Sequence, residues 1–423
     1  MKHRQSNMRS FDVPEFYRSP IIARVKQKRK VRDPRKRDFS PSVLDFGTVR
    51  FVMARHFGFC FGVENAIEIA YRALEENPGK RIFLLSQMIH NPEVNADLTA
   101  QGIRFLQDTE GNTLTPLGEL QADDVVLIPA FGTTLELEAQ LETIGVDVSK
   151  YNTTCPFVEK VWKRSAKLAT SDYTIVIHGK PQHEETRATF SHARGSGHAL
   201  VIKNMAEAEV LCGFIEGKRP LDDFWTHFEG RASDGFEPAE HLERVGVVNQ
   251  TTMLASDTQA ISDRIKVSIE AKATDVEAFA NTRDTLCYAT NDNQQATQAA
   301  LTAGRLDTAV VVGGYNSSNT SHLVELCEEQ VPTFFVRNEK EFMPDGLLKH
   351  FDWRSGLHQE TMDPWPVGQE GKAPTVLLTS GASCPDATVD RVMHAILDRY
   401  PGSKDVEDVL IAFEQELDAQ PLS

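Results

Sequence analysis

From about residue 50 onward the chain repeats one pattern: a short apolar run, a loop of Gly, Ser, Thr, Asn or Cys, then an amphipathic stretch with helical spacing. RFVMARHF (50–57) precedes GFCFGV and the periodic ENAIEIAYRAL, VVLIPA (125–130) precedes FGTTLELEAQLETIG, and YTIVIH (173–178) precedes GKPQHEET. VGVVN (245–249), AVVVGG (309–314) and TVLLTS (375–380) open three more such units. Strand–loop–helix repetition predicts an α/β fold with parallel sheets, in which ligands gather at the carboxyl ends of the strands. Pro156 after Cys155 and Pro385 after Cys384 stand where a helix start tolerates proline, and Ser256 before Asp257 resembles an N-cap. Segments 204–244 and 350–373 break the pattern with polar and turn residues and read as insertions.

A chain of 423 residues, 40% of them hydrophobic and 25% charged, buries a sizeable core and has room for two to four domains. No apolar run reaches the roughly 18 residues of a membrane span, and the N-terminus lacks an apolar signal region, so a cytoplasmic protein without membrane contact is expected. In a reducing compartment six cysteines read as free thiols, metal ligands or nucleophiles, not structural disulfides. Residues 1–50 carry fourteen Lys/Arg against five Asp/Glu, although the whole chain is at −16. Within them RVKQKRKVRDPRKRD (24–38) shows no apolar period, so residues 1–49 read as a basic, disordered, solvated arm. Asp12, Glu15, Asp33 and Asp38 argue against an organellar leader of the plastid type, and no interleaved aromatics support nucleic-acid binding.

Three cysteines share one setting. Cys60 (GFCFGV), Cys155 (NTTCPFVEKV) and Cys287 (TLCYATNDNQQA) each stand at a loop-to-helix junction, where backbone N–H groups and the helix dipole favour a thiolate. Taken singly, a cysteine of this kind is more often a small buried hydrophobe than a ligand. Their wide intervals disfavour a zinc ribbon or a ferredoxin motif. The loops Asn316–Asn319 and Gly381–Ser383 suit an oxyanion or simple helix capping. His90 and His183-Glu184-Glu185 lie in loops, where histidine can meet phosphate and a buried glutamate can supply a proton. HEETR lacks the second histidine of a zinc HExxH site, and neither GxxxxGK[ST] nor GxGxxG occurs.

The blocks GFCFGVENAI, HNPEV, TTCPFVEKV, HGKPQHEET, NQTT, LCYATNDNQQA, GGYNSSNTSHL and TSGASCPD, in this order over roughly residues 50–398, resemble the 4-hydroxy-3-methylbut-2-enyl diphosphate reductase (IspH/LytB) family. The resemblance implies three αβα domains in a trefoil around one central 4Fe–4S cluster bound by three cysteines, Cys60, Cys155 and Cys287. On this reading the domains span 50–145, 146–272 with the insertion at 204–244, and 273–398, leaving 399–423 as a tail. It further implies that His90, His183, Ser317, Asn319 and Ser383 hold a small diphosphate with Ser318 beside them. Glu185 would be the proton donor, with Thr251, aided by Gln250 and Thr252, positioning the substrate hydroxyl and relaying the proton. Where many members carry a histidine, Phe131 in PAFGTT offers neither charge nor hydrogen bond.

The expected reaction is reductive removal of an allylic hydroxyl, giving isopentenyl and dimethylallyl diphosphate. Without a dinucleotide fingerprint, electrons are expected from a protein such as ferredoxin or flavodoxin, with the basic stretch 24–38 steering an acidic donor. A quinolinate-synthase-like dehydratase and a non-catalytic zinc protein are the competing readings. The NSSN and HEET blocks weigh against the first, and the colour of the anaerobically purified protein separates the second.

Overall fold

The computed structural model describes residues 11–272, 277–280, 285–368 and 372–419. Residues 1–10 of the expected arm, 273–276 and 281–284 at the start of the expected third domain, 369–371 of the second insertion and 420–423 of the tail lie outside them.

Among the described residues the strands form a mixed α/β architecture of three sheets and a hairpin. The five-stranded sheet runs β1 (Ser42–Asp45), β2 (Arg50–Met53), β14 (Thr375–Ser380), β10 (Thr308–Val312), β11 (Thr333–Val336), all parallel except the β1–β2 pair. A three-stranded parallel sheet has the order β4 (Arg104–Phe105), β3 (Ile82–Leu84), β5 (Val125–Leu127). The third, also parallel, runs β7 (Ala199–Ile202), β6 (Thr174–His178), β8 (Val245–Asn249), β9 (Phe279–Ala280). β12 (Leu347–Asp352) and β13 (Leu357–Met362) pair as an antiparallel hairpin that begins three residues before the expected insertion 350–373 and runs into it. Every residue of β6, β8, β10 and β14 is buried, as parallel strands covered on both faces require. No helix among the described residues is long and apolar enough to cross a membrane.

Four expectations change. The basic arm is not a solvated coil from residue 11 on: Pro20–Arg32 is a helix, capped by Ser19, whose side-chain oxygen accepts from Ile22 N at 3.1 Å. Its Ile22 and Val25 enter the same core as Leu44, Phe51, Val376 and Val392. Its charges are matched far along the chain, Arg24 by Glu407 and Glu414 at 2.7 Å and Lys28 by Asp418 at 2.6 Å. Those partners belong to Val406–Ala419, so the expected tail is a helix that buries Val409, Leu410, Phe413 and Leu417 in that core. A run of charges looks solvated when its partners are nearly 400 residues away.

The 50–145 boundary shifts as well, because β2 hydrogen-bonds to β14 and so belongs to the five-stranded sheet. Meanwhile the helix Phe61–Glu76 packs its Ile67 and Ala70 with Ile82 and Leu127 of β3 and β5. Periodicity identifies a strand but not its partner. In the expected insertion 204–244, the helix Met205–Ile215 packs Leu211 with Val176 and Ile261, and Phe224, Phe228 and Phe236 join that core. The segment is thus structural, its polar stretch starting only after Ile215.

Truncating a fully buried side chain of the basic helix tests its place in the core. Ile22→Ala is expected to cost about 2–5 kcal/mol through lost apolar contact and an unfilled cavity. A urea titration within about 0.5 kcal/mol of the parent would contradict the packing.

Candidate functional site

The carboxyl ends of the parallel strands supply the site. His90 follows β3, His183 and Glu185 follow β6, Gln250–Thr252 follow β8, Ser317–Asn319 follow β10, and Ser383 follows β14. Each cysteine expected to bind metal is the N-cap of a helix: Cys60 before Phe61–Glu76, Cys155 before Pro156–Ala169, and Cys287 before Tyr288–Thr302. Backbone bonds tie these cysteines to the other loops. Cys60 N donates to Ala382 O at 3.2 Å, Cys155 N to Ala130 O at 2.9 Å, and Cys287 N to Thr251 O at 3.1 Å.

One cavity of about 90 Å³ gathers Cys60, Cys155, Cys287, His90, His183, Glu185, Thr251, Thr252, Ser317, Ser318, Asn319 and Ser383. Gln250, fully buried, stands behind them and donates to Thr252 Oγ1 at 2.9 Å and Ser318 Oγ at 3.3 Å. The three lining cysteines keep partial exposure, whereas Cys212, Cys327 and Cys384 are buried. Gly62 lets the first helix approach Cys155 closely, since a Cβ there would lie 2.6 Å from Cys155 Sγ.

The thiols are chemically distinctive. Removal from water, reinforced by the neighbouring Cys287 and Cys155, pushes Cys60 up to about 12. Burial likewise pushes Cys287 up to about 11 and raises Cys155. Burial therefore outweighs the helix N-termini that favour thiolates, and a bound cation is what would hold three such sulfurs ionised together. Among the described residues no three His, Cys, Asp or Glu side chains are grouped tightly enough for a single ion. Three thiols spread around a shared cavity are a donor set for a polynuclear iron–sulfur group.

Glu185 is 1% exposed and bound twice by Thr251, whose main-chain N–H donates to Oε1 and whose hydroxyl donates to Oε2 at 3.0 Å. Burial raises its carboxyl to about 7 against the opposing pull of these two bonds. A carboxyl poised there exchanges a proton readily near neutrality.

Two buried donors face the cavity without partners. His183 Nδ1 accepts from Glu185 N at 3.2 Å, which places the proton of the neutral ring on Nε2, and Nε2 has no partner. Burial, helped by the charges of His90, Lys180 and Arg187, holds His183 well below the ordinary imidazole range, so it serves as a neutral donor. Asn319 Oδ1 accepts from Ala382 N at 2.8 Å, leaving Nδ2 unpaired. Unsatisfied buried donors are costly, and a bound oxyanion would relieve both. Ser317 caps the helix Ser318–Glu328 and adds the helix N-terminus to this anion-seeking wall. Ser383 Oγ donates to His90 O at 3.2 Å.

Sequence reasoning named Glu184 beside His183 but gave it no task of its own. It is buried, pairs its Oε2 with His90 Nε2 at 2.9 Å and accepts from Ser86 Oγ. Its place beside His183 in HEET was visible, but which side of the helix start would face His90 was not. Phe131 stacks on the His90 ring at 4.2 Å and meets His183 edge-on at 5.6 Å, so it packs imidazoles where it cannot bind charge. Glu184→Ala is expected to raise the substrate KM about 5- to 150-fold with kcat little changed, the effect of leaving a buried partner unpaired at about 1–3 kcal/mol. An unchanged KM in steady-state kinetics would contradict that role.

The family model described as LytB protein matches residues 51–397. A protein of Gloeobacter violaceus named 4-hydroxy-3-methylbut-2-enyl diphosphate reductase is 37% identical over 388 residues, covering 88% of this chain and 90% of that protein. One of the same name from Crocosphaera subtropica is 36% identical, with 83% and 85% covered. Among solved structures, the E-1-hydroxy-2-methyl-but-2-enyl-4-diphosphate reductase of Plasmodium falciparum shares the fold at a TM-score of 0.59 and 19% identity, covering 87% of this chain and 98% of that one. By the extent of the family match and the identity to these relatives, this chain belongs to the LytB protein family.

Proposed function

We propose that this chain is an iron–sulfur oxidoreductase that removes the hydroxyl of 4-hydroxy-3-methylbut-2-enyl diphosphate, yielding isopentenyl and dimethylallyl diphosphate, the last step of the non-mevalonate route. The observation that carries the reading is one cavity that joins three thiols at helix N-cap positions, a buried glutamate poised near neutrality and two unpartnered donors. The name shared by the curated relatives supports it. Three αβα units in a trefoil would bring these loops together, and six unpaired cysteines suit a reducing cytoplasm.

Cys60, Cys155 and Cys287 would hold one 4Fe–4S cluster. When bound there, the cluster would supply Lewis acidity and one-electron transfers. The chain's own residues do the remainder. His183 Nε2, Asn319 Nδ2, Ser317, Ser318 and Ser383 bind and orient the diphosphate, with His90 steadied by Glu184 and Phe131. Because the carbon chain is apolar, these contacts provide most of the positioning energy. Gln250 and Thr252 fix the loop that presents Thr251. Thr251 Oγ1 lies against the substrate hydroxyl and passes to it the proton of Glu185. The C–O bond breaks, a C–H bond forms, and two electrons and two protons are consumed as water leaves. An acidic carrier protein such as ferredoxin or flavodoxin would deliver the electrons singly.

Anaerobic purification tests the cofactor. A brown protein with about four irons per chain is expected. A colourless zinc protein would reject the reading.

A further inference from the structure

A second cleft, of about 350 Å³, meets the site at Cys60, the one cysteine that lines both cavities. Its wall carries five cations, Arg18, Lys26, Lys30, Lys36 and Arg55, against three carboxylates, Glu64, Asp292 and Asp386; His56, just beyond β2, is held neutral by burial and the Arg55 charge. Arg55 is 7% exposed, yet its Nε and Nη2 have no hydrogen-bond partner and the nearest paired carboxylate, that of Asp33, stands 4.0 Å away. His56, 9% exposed, leaves Nε2 equally unpartnered. Buried donors without acceptors call for an anionic group from outside the chain.

The carboxylates of the cleft do not answer them. Asp386 is taken by Lys26 at 2.6 Å, and among the described residues neither Glu64 nor Asp292 forms a hydrogen bond or ion pair with Arg55 or His56. On the same helix Arg24 and Lys28 are neutralised by the helix Val406–Ala419. Lys30 and Lys36, by contrast, are exposed and make no ion pair among the described residues. Unpaired positive charge is therefore concentrated at one opening of a chain whose net charge is −16.

We propose that this cleft is the docking surface of an acidic one-electron carrier protein, which places a carboxylate against Arg55 and His56 and passes its electrons inward past Cys60. The inference rests on Cys60 as a ligand of the redox group. Exposed lysines at the rim extend the positive field beyond what a small anion would need, and fields of this kind accelerate encounter by about 10- to 1,000-fold.

The test uses the full-length holoprotein and a reduced acidic ferredoxin. In Lys30→Glu/Lys36→Glu, calorimetric binding of oxidised ferredoxin is expected to weaken at least about tenfold, as is ferredoxin-driven turnover at limiting donor, with turnover on reduced methyl viologen unchanged. For the parent, raising ionic strength from about 0.1 to 1 M, which contracts the screening length from about 10 to about 3 Å, should weaken ferredoxin binding in the same way. Unchanged binding in both experiments would overturn the docking surface. Equal loss with both reductants would overturn it too, as would inorganic phosphate at millimolar concentration inhibiting both equally, the mark of a small-anion site. Absence of viologen-driven turnover in the parent would instead sink the reductase reading on which the inference rests.

Discussion

Glu185→Gln is expected to lower turnover by about 100- to 10,000-fold while substrate binding and the cluster's absorbance persist. The amide keeps the shape and can still accept from Thr251 N–H, but it has no acidic proton to give. Hydroxide is a poor leaving group, so loss of that proton falls on the bond-breaking step and lowers kcat. The diphosphate contacts come from other loops, which is why binding should survive. Parent activity should also follow the ionisation of this carboxyl. Its proton is present below about pH 7 and lost above it, so kcat should fall as pH rises through neutrality, and the Gln variant should lose that limb. Pre-steady-state and steady-state kinetics with a chemical reductant measure both effects. A variant within about threefold of the parent would remove Glu185 from the acid role.

The second large effect is expected from Cys155→Ser. Its sulfur sits at a helix start against Gly62, so the oxygen can occupy the place without a clash. A hydroxyl is a poor substitute for thiolate toward iron. The variant should therefore fold, with a far-ultraviolet spectrum like the parent's, yet emerge from anaerobic purification with most of its iron and brown absorbance gone and no measurable turnover. Full iron and activity would refute the ligand assignment. Cys384→Ser, by comparison, alters a buried thiol outside the cavity and should leave the iron content unchanged.

The alternation of apolar runs and loops made the parallel strands legible, because strands covered on both faces leave a continuous apolar signature. It also placed every expected site residue in a loop at a strand end or at a helix start. The structure brings twelve of the thirteen to one cavity and Gln250 just behind it. What the sequence could not show depended on distant partners. The basic helix looked solvated because Glu407, Glu414 and Asp418 are far away in the chain, and β2 could not announce β14 as its neighbour. Glu184 was left without a role because only the pairing with His90 gives it one. Arg55 and His56 were similarly mute, since an unpartnered donor is a property of packing. Phe131 was legible as an absence of charge, while its stacking on His90 needed the fold.

The most direct measurement is product analysis by the holoprotein under anaerobic conditions, with 4-hydroxy-3-methylbut-2-enyl diphosphate and reduced methyl viologen. The expected result is consumption of two electrons per substrate, with isopentenyl and dimethylallyl diphosphate as the only products. Intact substrate after complete oxidation of the viologen, or conversion without electron uptake, would contradict the account.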